Sequence, residues 1–309
     1  VFATPADHLQ FDRAALAAAK AEQGLRVSVC LPARDEEATV GHIVSTVRRE
    51  LVDAVPLVDE VVVLDDGSAD ATRLAAADAG ARVVGVVEVL PEVGPGSGKG
   101  NAMWKSLFVC EGELLVWVDA DIRNFGAHFV TGLLGPLLTR REVGFVKGFY
   151  DRPLHGKPGA GGRVTELVAR PLVSQLFPHL ARIVQPLAGE YAGRRDVLDS
   201  VPFVEGWGVE LGLLVDVVER FGPAAIAQVD LGCREHRNRP LDELGPQAMA
   251  ILVTALRRAG LARDHTDAEE LVRFTADHEV ERVAVEVRER PPMRTLSAYR
   301  AKFGLELSA

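Results

Sequence analysis

Short apolar runs alternate with amphipathic stretches through the first 120 residues of this 309-residue chain. Residues 26–31, 60–64, 81–87 and a run from Leu114 that ends in Asp119 read as buried strands. Between them, residues 10–23, 36–51, 70–79 and 99–110 read as helices, with Ser68 or Asp70 available to cap the third. This alternation predicts an α/β fold with a doubly wound, mostly parallel sheet. A helix over 126–140 and a strand over 144–150 continue the pattern. Residues 151–162 are rich in Gly and Pro and predict a mobile loop. Helices follow over 163–181 and 205–221, with a late strand over 225–229. From residue 241 the pattern is mainly helical, broken at Pro291-Pro292. The expected organisation is a catalytic domain over 1–240 and a helical extension over 241–309.

In sheets of this kind ligands bind beyond the carboxyl ends of the strands. Leu31-Pro32, Asp65-Asp66-Gly67-Ser68 and Asp119-Ala120-Asp121 all fall at such ends, which predicts one common site. Two carboxylates at the end of a buried strand lose hydration unless a cation lies beside them. A divalent ion such as Mg²⁺ or Mn²⁺, carrying a nucleotide diphosphate, would meet that need, because hard cations take oxygen ligands. One of Asp119 and Asp121 would then ligate the metal while the other orients a ribose or a metal-bound water. Asp66 is placed to accept the ring N–H of a base, with Gly67 allowing the tight turn before Ser68. Glu36 and the backbone near Pro32 would lie beside the nucleoside.

Gly96-Ser97-Gly98-Lys99-Gly100-Asn101 opens a helix. Its glycines allow close backbone approach, and Lys99 adds positive charge. It is not a P-loop, because Gly100-Asn101 stands where that motif needs Ser or Thr after the lysine. His236, in a basic turn after the late strand, is a candidate third metal ligand. Gly162, Arg163 and Thr165 open a helix behind the flexible loop and suit an anion. Glu190 and Glu210 are candidates for sugar hydroxyls, and Trp207 offers an apolar face.

A net charge of −9 argues against a general nucleic-acid surface. No apolar stretch reaches the roughly 18–20 residues that span a bilayer. No basic head with a following apolar run stands at the N-terminus, so no signal peptide is expected and cytoplasmic residence is the default. Of the three cysteines, Cys30 and Cys110 fall in apolar contexts and read as reduced core residues.

The order of motifs over the first 125 residues resembles the GT-A glycosyltransferases. Gly162-Arg163-Val164-Thr165-Glu166, Pro186-Leu187-Ala188-Gly189-Glu190-Tyr191 and Trp207-Gly208-Val209-Glu210 look more narrowly like the glucosyl-3-phosphoglycerate synthases of actinobacteria. That resemblance implies metal-dependent transfer of glucose from a nucleotide donor, UDP-glucose preferred, to D-3-phosphoglycerate with retention at the anomeric carbon. It implies a homodimer. Asp121 and His236 would hold the metal through a DXD motif, and Glu210 the glucose. Gly162, Arg163 and Thr165, with Asn238 nearby, would hold phosphoglycerate. Ala188 and Gly189 would form a loop beside the transferred sugar. Mannosyl-3-phosphoglycerate synthesis and a polyprenyl-phosphate glycosyltransferase are the alternatives, and a non-catalytic nucleotide-sugar binder is the remote one.

Overall fold

The computed structural model describes residues 2–153, 162–235, 241–262, 268–275 and 277–306. In chain order the elements are β1 (Ala6–Asp7), α1 (Arg13–Gln23), β2 (Val27–Ala33), α2 (Val40–Val47), β3 (Glu60–Asp65), α3 (Thr72–Asp78) and β4 (Arg82–Gly85). Then come α4 (Gly98–Val109), β5 (Leu114–Trp117), α5 (His128–Thr139), β6 (Phe145–Asp151), α6 (Arg170–Leu176), β7 (Tyr191–Arg194) and α7 (Arg195–Leu198). The chain continues through β8 (Phe203–Val204), α8 (Val209–Phe221), β9 (Ile226–Cys233), α9 (Leu241–Arg258), β10 (Ala268–Phe274), β11 (Val280–Glu286), β12 (Glu289–Arg290) and α10 (Ser297–Phe303).

Eight strands form one sheet in the order β1-β9-β6-β7-β5-β2-β3-β4. All pairings are parallel except those of β7, which runs antiparallel to β5 and β6. The strands are apolar at nearly every position because both faces of the sheet are covered. Val27, Val29, Leu31, Val61, Val63, Leu114 and Val116 point to one core, shared with α2 and α5. Cys30, Val62, Leu64, Leu115 and Trp117 point to the other, shared with α4 and α8. β2 pairs with β3 on one side and β5 on the other, so the strand order reverses at β2. This is the switch point at which a doubly wound sheet opens a crevice.

Several elements depart from the sequence pattern. α2 starts at Val40, and residues 36–39 form a turn instead of the first helical turn. The helix expected over 163–181 has a widened turn at Thr165–Ala169 and ends at Leu176. Pro171 has no N–H to give the preceding turn, and Pro178 cannot continue the helix. The tail carries α9 and α10, and also the antiparallel β10–β11 pair, which the helical pattern does not predict. Short β12 pairs with β8, with Arg290 opposite Phe203, and so ties the tail to the segment just before α8.

Candidate active site

The carboxyl ends of β2, β3 and β5 open into a cleft of about 610 Å³. Pro32, Glu36 and Asp66 line one end of it, Lys99, Asp119, Asp121, Gly189 and Glu210 its floor, and Gly162, Arg163 and Thr165 the far wall. The structure therefore brings together most of the residues expected from the sequence. His236 and Asn238 lie outside the described residues. Ser68 and Ala188 are near the cleft but do not line it.

The end of the cleft at Pro32, Glu36 and Asp66 is built from two cross-linked loops. Asp35 donates its backbone N–H to Ser68 Oγ at 3.0 Å, and Asp35 Oδ1 accepts from the Ala69 N–H at 2.7 Å. Glu37 and Asp70 repeat the exchange, and Thr72 Oγ1 accepts from the Glu36 N–H at 2.7 Å. Ser68 thus shapes the loop, and Asp35 holds a positive φ of 56° to reach it. The two acids of the Asp65-Asp66 pair divide their roles. Asp65 is 3% exposed and pairs with Arg73 at 3.2 Å, whereas Asp66 faces the cleft. Burial raises the Asp66 carboxyl above its ordinary value, with Arg34 and the Gly98 N–H pulling the other way.

At the floor, Lys99 Nζ lies 2.5 Å from Asp119 Oδ1 and 3.0 Å from Glu210 Oε1. Arg234 Nη2 lies 2.8 Å from Asp119 Oδ2 and 2.6 Å from Asp121 Oδ1, and its Nη1 lies 3.4 Å from Glu190 Oε1. Burial alone would raise the Asp119 carboxyl, but Lys99 and Arg234 outweigh it and hold the group below the usual carboxylate range. Burial likewise works against the Lys99 ammonium, and Asp119 and Glu210 keep it charged well beyond its ordinary value. Glu190 is fully buried, which pushes its carboxyl up despite Arg234. Gly189 is glycine for a steric reason: a Cβ there would run into the Asp119 carboxylate. Ala188 is fully buried, and its carbonyl accepts from Lys147 Nζ at 2.6 Å.

The far wall starts at Gly162, whose φ of +74° turns the chain into the helical segment that carries Arg163 and Thr165. Arg152 faces it, and Leu244, Gln247 and Ile251 of α9 complete the cleft from the tail. A chain of net charge −9 thus places Arg34, Lys99, Arg152, Arg163 and Arg234 around one cleft. Such a concentration suits a ligand carrying several negative charges.

The sequence reading asked for a cation beside Asp119 and Asp121 and weighed only a metal. The structure supplies Arg234 as well, one residue beyond the end of β9 and 4% exposed. Its signal in the sequence is no more than a basic turn after the strand predicted over 225–229, whereas β9 runs on to Cys233 and carries Arg234 to the two acids. Lys147 and the α9 residues carried no such signal, since a lysine within a strand and Leu, Gln and Ile on a helix are ordinary. A divalent ion fits this floor. One atom of Arg234 already marks where oxygens of both aspartates converge on positive charge. No three metal-ligating side chains converge among the described residues, so oxygens of a bound ligand would complete the coordination of an ion here.

Residues 28–158 match the model of Glycosyl transferase family 2. The glucosyl-3-phosphoglycerate synthase of Mycolicibacterium smegmatis is 50% identical over 288 residues, which are 91% of this chain and 92% of that protein. A crystal structure of the glucosyl-3-phosphoglycerate synthase from Mycobacterium tuberculosis, in complex with Mn²⁺, UDP-glucose and phosphoglyceric acid, aligns with a TM-score of 0.81 at 45% identity. The match covers 91% of this chain and 93% of that one. The mannosyl-3-phosphoglycerate synthase from Rubrobacter xylanophilus aligns with a TM-score of 0.87 at 37% identity, over 94% of this chain and 97% of that one.

Proposed function

Because this chain belongs to the glucosyl-3-phosphoglycerate synthase family, we propose that it transfers glucose from UDP-glucose to D-3-phosphoglycerate in a metal-dependent reaction with retention at the anomeric carbon. One observation carries the reading. The acidic strand end with Asp119 and Asp121, the Lys99–Glu210 pair and the Gly162–Thr165 turn open into the same cleft. Donor and acceptor chemistries therefore meet within one enclosure.

In this reading Asp66 accepts from the base, and Glu36 and the Pro32 backbone flank the nucleoside. Asp119 and Asp121 face the diphosphate, and Asp121 with His236 holds the divalent ion. A bound Mg²⁺ or Mn²⁺ neutralises charge that grows on the leaving diphosphate. Lys99 fixes Asp119 and Glu210 relative to each other, so the glucose lies against a carboxylate whose position is set before it binds. Gly189 bounds the sugar from the side of β7, with Ala188 buried behind it. Arg163 and Thr165, with Gly162 and Asn238, grip the phosphate and carboxylate of the acceptor. The acceptor hydroxyl attacks the face from which the diphosphate leaves. Glu210 is already committed to Lys99, which favours a sugar-binding role over that of a covalent nucleophile. The reaction uses small soluble substrates, and no helix among the described residues is long and apolar enough to cross a membrane. The polyprenyl-phosphate alternative therefore has no support from a spanning segment, and the cytoplasm is the compartment in which we place the reaction.

The solvent-facing side of β10–β11 supports the homodimer. Phe274 stands opposite Val280, and the two are 68% and 58% exposed, with Val272 at 47% on the same face. The other face of the pair packs on α9, and an apolar face of this kind left towards solvent calls for a cover.

The test is turnover of UDP-glucose with 3-phosphoglycerate followed by NMR, with and without Mg²⁺. An α-linked glucosyl product that forms only with metal is expected. A product from a mannosyl donor but none from UDP-glucose would move the chain to the mannosyl reaction of its structural neighbour. Absence of product with either donor would remove the phosphoglycerate assignment.

A further inference from the structure

The loop that delivers Lys99 has no regular structure to hold it, since residues 94–97 precede α4 without pairing to a strand. Its carbonyls are collected by side chains instead. Arg290 Nη1 donates to Val93 O at 2.7 Å and its Nη2 to Gly94 O at 3.4 Å, while Asn101 Nδ2 donates to Pro95 O at 2.9 Å. Arg290 Nε donates to Asn101 Oδ1 at 3.0 Å and lies 2.6 Å from Glu205 Oε1. Glu205 in turn accepts the Ser97 N–H at 3.3 Å and donates its own N–H to Arg288 O at 2.9 Å. The guanidinium lies over the Trp104 ring at 5.2 Å, and a Cβ on Gly96 would run into it. Arg290 and Glu205 are 11% and 4% exposed, so this is a buried ion pair whose partners have little water to replace each other.

Both segments joined by this guanidinium end in the site. The first runs through Gly98, whose N–H faces Asp66, to Lys99. The second runs through Gly206 and Trp207 to Glu210. They touch: a Cβ on Gly98 would lie 2.9 Å from Gly206 Cα. Arg290 itself is absent from the cleft lining. We propose that Arg290, brought by β12 of the tail, is a positioning residue that clamps the glycine-rich loop to the Glu205–Glu210 segment and so sets the Lys99–Glu210 pair for the donor. The inference rests on the glucosyl-transfer reading above.

The test compares wild type, Arg290→Ala and Arg290→Lys in steady-state kinetics, UDP calorimetry with Mg²⁺, and thermal unfolding. In Arg290→Ala, kcat falls by about 10²-fold, as expected for a misplacement of about 1 Å at the reacting centre. The UDP-glucose KM and the UDP Kd rise by about tenfold while the 3-phosphoglycerate KM stays within about twofold, the signature of a lesion confined to the donor half. Millimolar guanidinium ion restores part of kcat. Should Arg290→Ala not accumulate as folded protein, Arg290→Lys carries the test. Its ammonium keeps charge beside Glu205 but lacks the fork that reaches Val93 and Gly94 together, so it shows the same split in milder form. Unchanged kinetics in the folded variant would overturn the proposal. So would a loss that tracks the folded fraction and raises both KM values alike without guanidinium rescue. A wild type that transfers no glucose fails the functional reading, a result separate from either of these.

Discussion

Gly189 leaves room for nothing larger, because the backbone entering β7 passes directly against the Asp119 carboxylate. That carboxylate cannot swing aside cheaply, since Lys99 and Arg234 hold its two oxygens. Gly189→Ala is therefore expected to keep the fold and lose about 10²-fold in kcat, read from steady-state rates beside an unchanged circular dichroism spectrum. Lys147 is a different kind of residue-scale constraint. It lies fully inside the protein on β6, and burial drives its ammonium from 10.5 down to about 7. Above pH 7 the folded protein has released this proton while the unfolded chain still holds it. The unfolded state then binds more protons, so stability from this group rises as pH goes from about 7 towards 10.5 and is least below 7. Urea midpoints at pH 7 and 9.5 should show this rise in wild type and lose that part of it in Lys147→Met.

Between elements, the turn after β5 is laced to the end of β9. Asn124 Nδ2 donates to Cys233 O at 2.9 Å, the Glu235 N–H donates to Asn124 Oδ1 at 2.8 Å, and the Arg123 N–H donates to Glu235 O at 2.9 Å. These bonds fix the chain one residue before His236 against the chain two residues after Asp121. Groups that orient ligands without touching the metal typically change its affinity by 10–100-fold. Asn124→Ala should raise the Mn²⁺ needed for half-maximal turnover by about tenfold, with kcat at saturating metal near wild type. Electron paramagnetic resonance of Mn²⁺ with the UDP-loaded protein checks the affinity directly. An unchanged affinity would remove His236 or this lacing from the account.

For the whole molecule, the tail is packed into the rest of the chain and completes the cleft. α9 lines the cleft with Leu244, Gln247 and Ile251. Arg258 joins α9 to Asp216 of α8 at 2.7 Å and to Glu289 of β12 at 2.6 Å. Tyr299 of α10 bonds Asp199 at 3.1 Å, and Arg195 beside it donates to the carbonyls of Leu107 and Cys110 at the end of α4. If β10–β11 forms the dimer contact, Phe274→Asp should shift sedimentation velocity from dimer to monomer. A charge buried at such a contact opposes association by several kcal/mol. A variant that sediments as wild type would exclude this face from the contact.

The sequence by itself determined the sheet and its direction. Apolar runs at Val27–Leu31, Val61–Leu64 and Leu114–Trp117, each followed by a helix or an acidic turn, allow little besides parallel strands covered on both faces. It also determined the chemistry of the floor, because Asp119 and Asp121 at a strand end require positive charge wherever the chain goes next. The family motifs extended that reading to Arg163, Thr165 and Glu210, which do line the cleft. Tertiary structure alone decided the rest. β7 has four residues and no periodicity of its own, so only the gap between β5 and β6 makes it a strand. β10 and β11 are strands because they pair with each other and lie on α9. Arg234, Lys147 and Arg290 are set by contacts 41 to 197 residues away in sequence, such as Arg290 with Val93, and no local pattern encodes a partner at that separation. Periodicity reports which face of an element is buried, whereas the identity of what buries it is a property of the folded chain.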